Sequence, residues 1–142
     1  MLITEFAVGM LVMLWMYAAL IKLLDFSHFI SQIKIQALPE FSKAILPYVI
    51  PAAEMTAALL LVYHKTQRAG LWLSGGLMLL FTGYILLAIT NVFGRIPCSC
   101  GGVFEQMSWT THFLFNLAVL LMTITAIIIS QKKGGVVNES FV

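Results

Sequence analysis

The stretch Leu59-Leu60-Leu61-Val62-Tyr63-His64-Lys65-Thr66-Gln67-Arg68-Ala69-Gly70-Leu71-Trp72 fixes the architecture of this chain. Its five polar residues, His64 to Arg68, separate two apolar runs, Ala44 to Tyr63 and Ala69 to Thr90. Each run has the roughly 20 residues a helix needs to cross a bilayer, and so short a connection makes them antiparallel neighbours. Two further runs of that length flank the pair, Ile3 to Leu24 and Trp109 to Ser130. Backbone groups in hydrocarbon have no water to bond, so every span must be helical. The expectation is an all-α membrane protein, a four-helix up-and-down transmembrane bundle.

Composition agrees. The chain has 142 residues, 61% hydrophobic and 10% charged, with a mean hydropathy of +0.97. Soluble domains average about 45–50% apolar and about 25% charged, so lipid surrounds most of this surface. The formal charge is +2, and no Lys/Arg cluster exists to neutralise phosphates, which excludes a nucleic-acid partner. The first basic residue is Lys22. A cleaved signal peptide would need a positive start, so the first run reads as a retained span. Nothing resembling a linker or repeat divides residues 1–142, which read as one domain.

Between the first two spans, Phe26, Phe29, Ile30, Ile33 and Ala37 recur at helical spacing, with Ser31, Gln32, Lys34 and Gln36 mostly on other faces. This predicts a short amphipathic helix lying in the membrane interface, capped by Asp25 or Ser27 and unable to pass Leu38 because Pro39 follows. Ser108 is placed to cap the fourth span, and Gly134-Gly135 to stop it. Gly76 and Gly83, seven residues apart in the third span, share a face and predict a close helix approach. Met10, Met13, Met16 and Trp15 read as apolar lining or interface anchors, and His28 and His64 as surface residues.

The only cysteines, Cys98 and Cys100, stand two apart in Ile96-Pro97-Cys98-Ser99-Cys100-Gly101-Gly102, between the third and fourth spans. A disulfide across one residue closes a small, strained ring, which raises its reduction potential and suits electron transfer better than stapling. It would also restrict the unfolded chain little. A redox-active pair is therefore the favoured reading, with a structural pair and metal ligation as alternatives. Zinc would want four ligands, and Cys98, Cys100, Glu105 and His112 match no usual spacing, so no metal is assigned. Arg95 would favour a thiolate, while Glu105 would oppose it but could accept a proton.

Glu54 lies about ten residues, or 15 Å of helix, inside the second span. Such a group costs several kcal/mol unless paired or neutral and marks a site by default. Lys22, at the end of the first span, is its nearest counter-ion, with Asp25 beside it. Pro47 and Pro51 precede Glu54 on one face and free backbone carbonyls. A buried structural hydrogen-bond node is an equally open reading. His112 and Asn116 begin a polar stripe on the fourth span that Thr123 continues toward the bundle interior, and His112 is a candidate proton carrier for the thiols. Lys65, Arg68, Lys132 and Lys133 lie on one side and Lys22, Lys34, Lys43 and Arg95 on the other. The numbers tie; the denser clustering of the first set places both termini in the cytoplasm and the cysteine loop outside.

Three pieces together, Leu20-Ile21-Lys22-Leu23-Leu24-Asp25-Phe26, Leu46-Pro47 to Pro51-Ala52-Ala53-Glu54, and Pro97-Cys98-Ser99-Cys100-Gly101-Gly102, resemble the DoxX-like membrane proteins, and in particular their MauE (methylamine-utilisation) branch. The resemblance runs nearly the whole chain. It implies a bacterial inner-membrane protein with a periplasmic cysteine loop, a thioredoxin-like extracytoplasmic partner, and a part in disulfide formation during maturation of exported proteins. On that likeness Cys98 and Cys100 are the redox pair, and Lys22, Asp25 and Glu54 the matching polar positions. The chain has no thioredoxin-like segment and no second cysteine pair, so it would not relay electrons across the membrane alone. A rival reading is a non-catalytic subunit docking onto a larger envelope complex. No cofactor follows from the motifs, although a small-molecule or quinone site around Glu54 is a third option.

Overall fold

The computed structural model describes residues 2–36, 38–92 and 108–139, the side chains of Trp109 and of residues 133–139 excepted. They form five helices: α1 (Leu2–Leu24), α2 (Phe26–Lys34), α3 (Glu40–Val62), α4 (Gln67–Ile89) and α5 (Trp109–Glu139). Four of these, all but α2, carry a stretch long and apolar enough to cross a membrane. Packing runs α1 to α3, α3 to α4, α4 to α5 and back to α1, a closed ring of four. Leu11, Trp15, Ala57, Ala58, Leu61, Leu71 and Ala126 fill its centre. Met13, Tyr63, Leu79, Leu80 and Leu121 point outward, as expected where lipid tails replace water. Met10 and Met16 join them on the outer face.

Helix α2 has the interfacial pattern that its sequence predicts. The Asp25 carboxylate caps it by accepting from the His28 backbone N–H at 3.2 Å, and Phe29 and Ile33 are buried. Its face is wider than the apolar residues alone mark out, because Gln32 and, just past the helix, Gln36 are buried too. Gln36 accepts from the Tyr84 hydroxyl of α4, which ties the interfacial segment to the bundle.

Two expectations about glycine are corrected. Gly76 and Gly83 meet no atom within 4 Å of an added Cβ. The close approach is at Gly70, where a Cβ would fall 2.8 Å from the Leu61 backbone nitrogen. A Gly75 Cβ would lie 3.3 Å from Ile127 Cδ1. Shared helical phase identified a face of α4 but not the face turned to a neighbour. Gly134 and Gly135 also do not end α5, which continues to Glu139; glycine costs a helix only about 1 kcal/mol, and no proline follows to forbid it. At the other end, Ser108 does cap α5, its hydroxyl accepting from the Thr111 N–H at 3.3 Å.

The end of α4 is set by Asn91, which has a φ of 56°. Its N–H bonds the Ala88 carbonyl, and the Val92 N–H bonds that of Leu87. This pairing is the Schellman closure, with asparagine in the left-handed position usually held by glycine. It stops the helix and turns the chain toward residues 93–107.

Candidate functional site

Lys22 and Glu54 form an ion pair, Nζ to Oε1 at 2.7 Å, with side chains 11% and 1% exposed. A helix aims its Cα–Cβ bonds toward its own N-terminus. Lys22 is two residues from the C-terminal end of α1, so its side chain runs back into the bundle rather than out to water. The ammonium accordingly also donates to the Ala18 carbonyl at 3.4 Å and sits 5.8 Å from the centre of the Phe29 ring. Glu54 is fourteen residues into α3, about 21 Å of helix. Reaching Lys22 therefore requires α3 to extend past the end of α1 on this side, where its first turn carries the polar pair Glu40–Lys43 at 2.8 Å.

Only one carboxylate oxygen is used. Among the described residues, Glu54 Oε2 is buried with no hydrogen-bond partner. The Glu54 residue lines a cavity of about 450 Å³ between the helices. Pro47 and Pro51 are buried on the Glu54 face of α3. Lacking N–H groups, they leave the carbonyls of Lys43 and Pro47 without their usual helical donors. Polar groups at the cavity wall come from the four long helices and the residue stretch just past α2: Trp15 and Lys22, Gln36, Glu54, Tyr84, and His112 with Asn116. Everything else lining it is apolar. Trp15 closes one side, donating its indole N–H to Ser74 Oγ across the ring at 2.9 Å.

The family model described as "Methylamine utilisation protein MauE" matches residues 1–129. The chain belongs to the MauE family. No curated protein and no solved structure matches it. As a MauE-family protein it is a multi-pass membrane protein of a family named for methylamine utilisation.

The site residues expected from the sequence fall in different places. Lys22 and Glu54 come together as a direct pair. Asp25 stands apart from them: it is exposed and serves as the cap of α2, bonding Ser27 Oγ at 3.2 Å as well as the His28 N–H. His112 reaches the same cavity as the pair, and Asn116 and Thr123 are buried in the stripe below it. Cys98, Cys100 and Glu105 lie outside the described residues, as does Arg95. The segment that bears them leaves at Val92 and returns at Ser108, at the bundle end where α1 finishes and α3 begins.

Sequence reasoning missed Trp15, Gln36 and Tyr84 as parts of this site. Each is an aromatic or amide within a membrane or interfacial run, and such residues carry a polar tip that seeks a partner when buried. Glutamine on the supposed wet face of α2 was the one readable signal, since its i, i+4 recurrence at Gln32 and Gln36 makes a polar stripe.

Proposed function

We propose that this MauE-family protein is the membrane component of a thiol–disulfide exchange system, working through Cys98 and Cys100 with a thioredoxin-like extracytoplasmic partner. The carrying observation is the sequence Pro97-Cys98-Ser99-Cys100-Gly101-Gly102 at a membrane surface in a chain without other cysteines. One cysteine thiolate attacks a partner disulfide, forming a mixed disulfide and releasing one partner thiolate. The second cysteine then resolves it, leaving cystine in this chain and a dithiol on the partner. The reverse order runs the exchange the other way. His112, at the helix start that follows the cysteine segment, is the assigned proton carrier, with Glu105 as a second acceptor; Lys22 and Glu54 support the site from within the bundle. The membrane is the bacterial inner membrane, with termini in the cytoplasm and the pair in the periplasm, where disulfides persist.

The test is trapping. In cells that make the protein with Cys100→Ser or Cys98→Ser, one variant is expected to accumulate a mixed disulfide with a thioredoxin-like protein. The double variant is expected to accumulate none and to change the disulfide content of exported substrates and the redox state of the partner. Unchanged substrate disulfides and partner redox state in the double variant would refute the proposal. Stoichiometric co-purification with a larger complex that survives loss of both cysteines would point to a docking subunit instead.

A further inference from the structure

We infer that the cavity beside Lys22 and Glu54 binds the ring of a lipid-soluble quinone, taken up sideways from the bilayer. The volume, about 450 Å³, falls in the range of about 300–1,000 Å³ usual for small-molecule sites, and a mainly apolar wall with a few convergent polar groups is their common composition. The mouth lies between α3 and α4, because Val49 and Leu80 border the cavity while being 49% and 69% exposed on the lipid-facing surface. A ligand that enters there is already dissolved in the membrane, and a long tail can remain in lipid while the head group sits inside.

The polar wall selects among such ligands. Glu54 Oε2 is a buried acceptor with no donor among the described residues. Lys22 is a cation with three N–H groups, of which Glu54 and the Ala18 carbonyl take two. A ligand hydroxyl that accepts from Lys22 and donates to Glu54 answers both groups at once, and its carbonyl form answers Lys22 alone. A quinol supplies the hydroxyl and the quinone the carbonyl. A phospholipid phosphate or fatty-acid carboxylate is only an acceptor, repelled by Glu54, and would leave Oε2 unsatisfied. A flat ring also suits the walls, since Trp15, Phe29, Phe81, Tyr84 and Phe115 all border the space and offer edge and face contacts. The inference does not depend on Cys98 or Cys100.

The experiment uses the full chain in phosphatidylcholine nanodiscs with Trp72→Phe and Trp109→Phe, so that Trp15 alone reports. Titration with decylubiquinone is expected to quench Trp15 saturably. Filling the cavity with Ala53→Phe, and removing its charges with Lys22→Met/Glu54→Leu, is each expected to raise Kd at least tenfold. If Ala53→Phe does not elute as a monodisperse helical protein, Val49→Phe at the exposed mouth replaces it under the same criterion. Cys98→Ser/Cys100→Ser is expected to leave Kd unchanged. Quenching that grows linearly with quinone, as partition into lipid would give, overturns the inference. So does saturable binding that either the filling or the charge-removing variant leaves within tenfold of the parent, or binding that vanishes with the cysteines.

Discussion

A lysine near the end of a membrane helix ordinarily extends its ammonium to water, but that escape is easy only when the helix direction carries the side chain outward. In α1 it carries Lys22 inward, toward Ala18 and Glu54. The pair's attraction is offset by the cost of removing both charges from water, so its net contribution is smaller than the cost of breaking it. Glu54→Ala or Lys22→Met alone is expected to cost about 3–5 kcal/mol, whereas Lys22→Met/Glu54→Leu together should recover most of that loss. Reversible unfolding in detergent, analysed as a double-mutant cycle, checks this; equal destabilisation by single and double variants would contradict it. The partnership itself was legible beforehand, because one acidic residue deep in a span needs a counter-ion and Lys22 was the nearest. What could not be read was that a second oxygen is left over, since that depends on packing among helices far apart in sequence.

Helix ends and helix contacts rest on a few backbone positions. At Gly70 an added methyl group would press on Leu61 backbone rather than on a yielding side chain. Gly70→Ala is expected to destabilise by about 1–3 kcal/mol, and Gly76→Ala, facing open space, to be neutral or stabilising by up to about 1 kcal/mol. Thermal melts of the two variants should therefore shift in opposite directions or by clearly different amounts. Asn91 makes a similar contrast. Asn91→Gly keeps the left-handed turn and is expected to be silent, while Asn91→Val should cost about 1–2 kcal/mol, read as earlier melting. The helices themselves were visible from length and hydropathy, and α2 from its polar and apolar faces. The inward faces of the spans were not. Lipid is as apolar as a protein core, so a transmembrane helix shows no contrast between the side that meets its neighbours and the side that meets the bilayer.

For the whole molecule, the ring order α1, α3, α4, α5 decides which surfaces lipid can touch. A bimane label on Leu80→Cys or Val49→Cys, in a Cys98→Ser/Cys100→Ser background, is expected to be quenched by spin-labelled lipid. The same label on Ala57→Cys, which is 0% exposed, should be poorly incorporated and unquenched. Equal quenching at all three positions would mean a different arrangement of spans. The ring and its polar heart were only half legible, because Trp15 to Ser74 and Tyr84 to Gln36 join residues 59 and 48 positions apart. No periodicity within one span announces such partners.

The ion pair also has a consequence for biogenesis. Its two members are 32 residues apart, so the first span leaves the ribosome well before its complement does. Until then Lys22, only two residues from the end of its helix, lies close to the headgroups, but Glu54, near the middle of its own helix, has no such refuge. The second span thus gains its full ease of insertion only when the first is waiting alongside it, and the order of synthesis supplies the receptor before the guest.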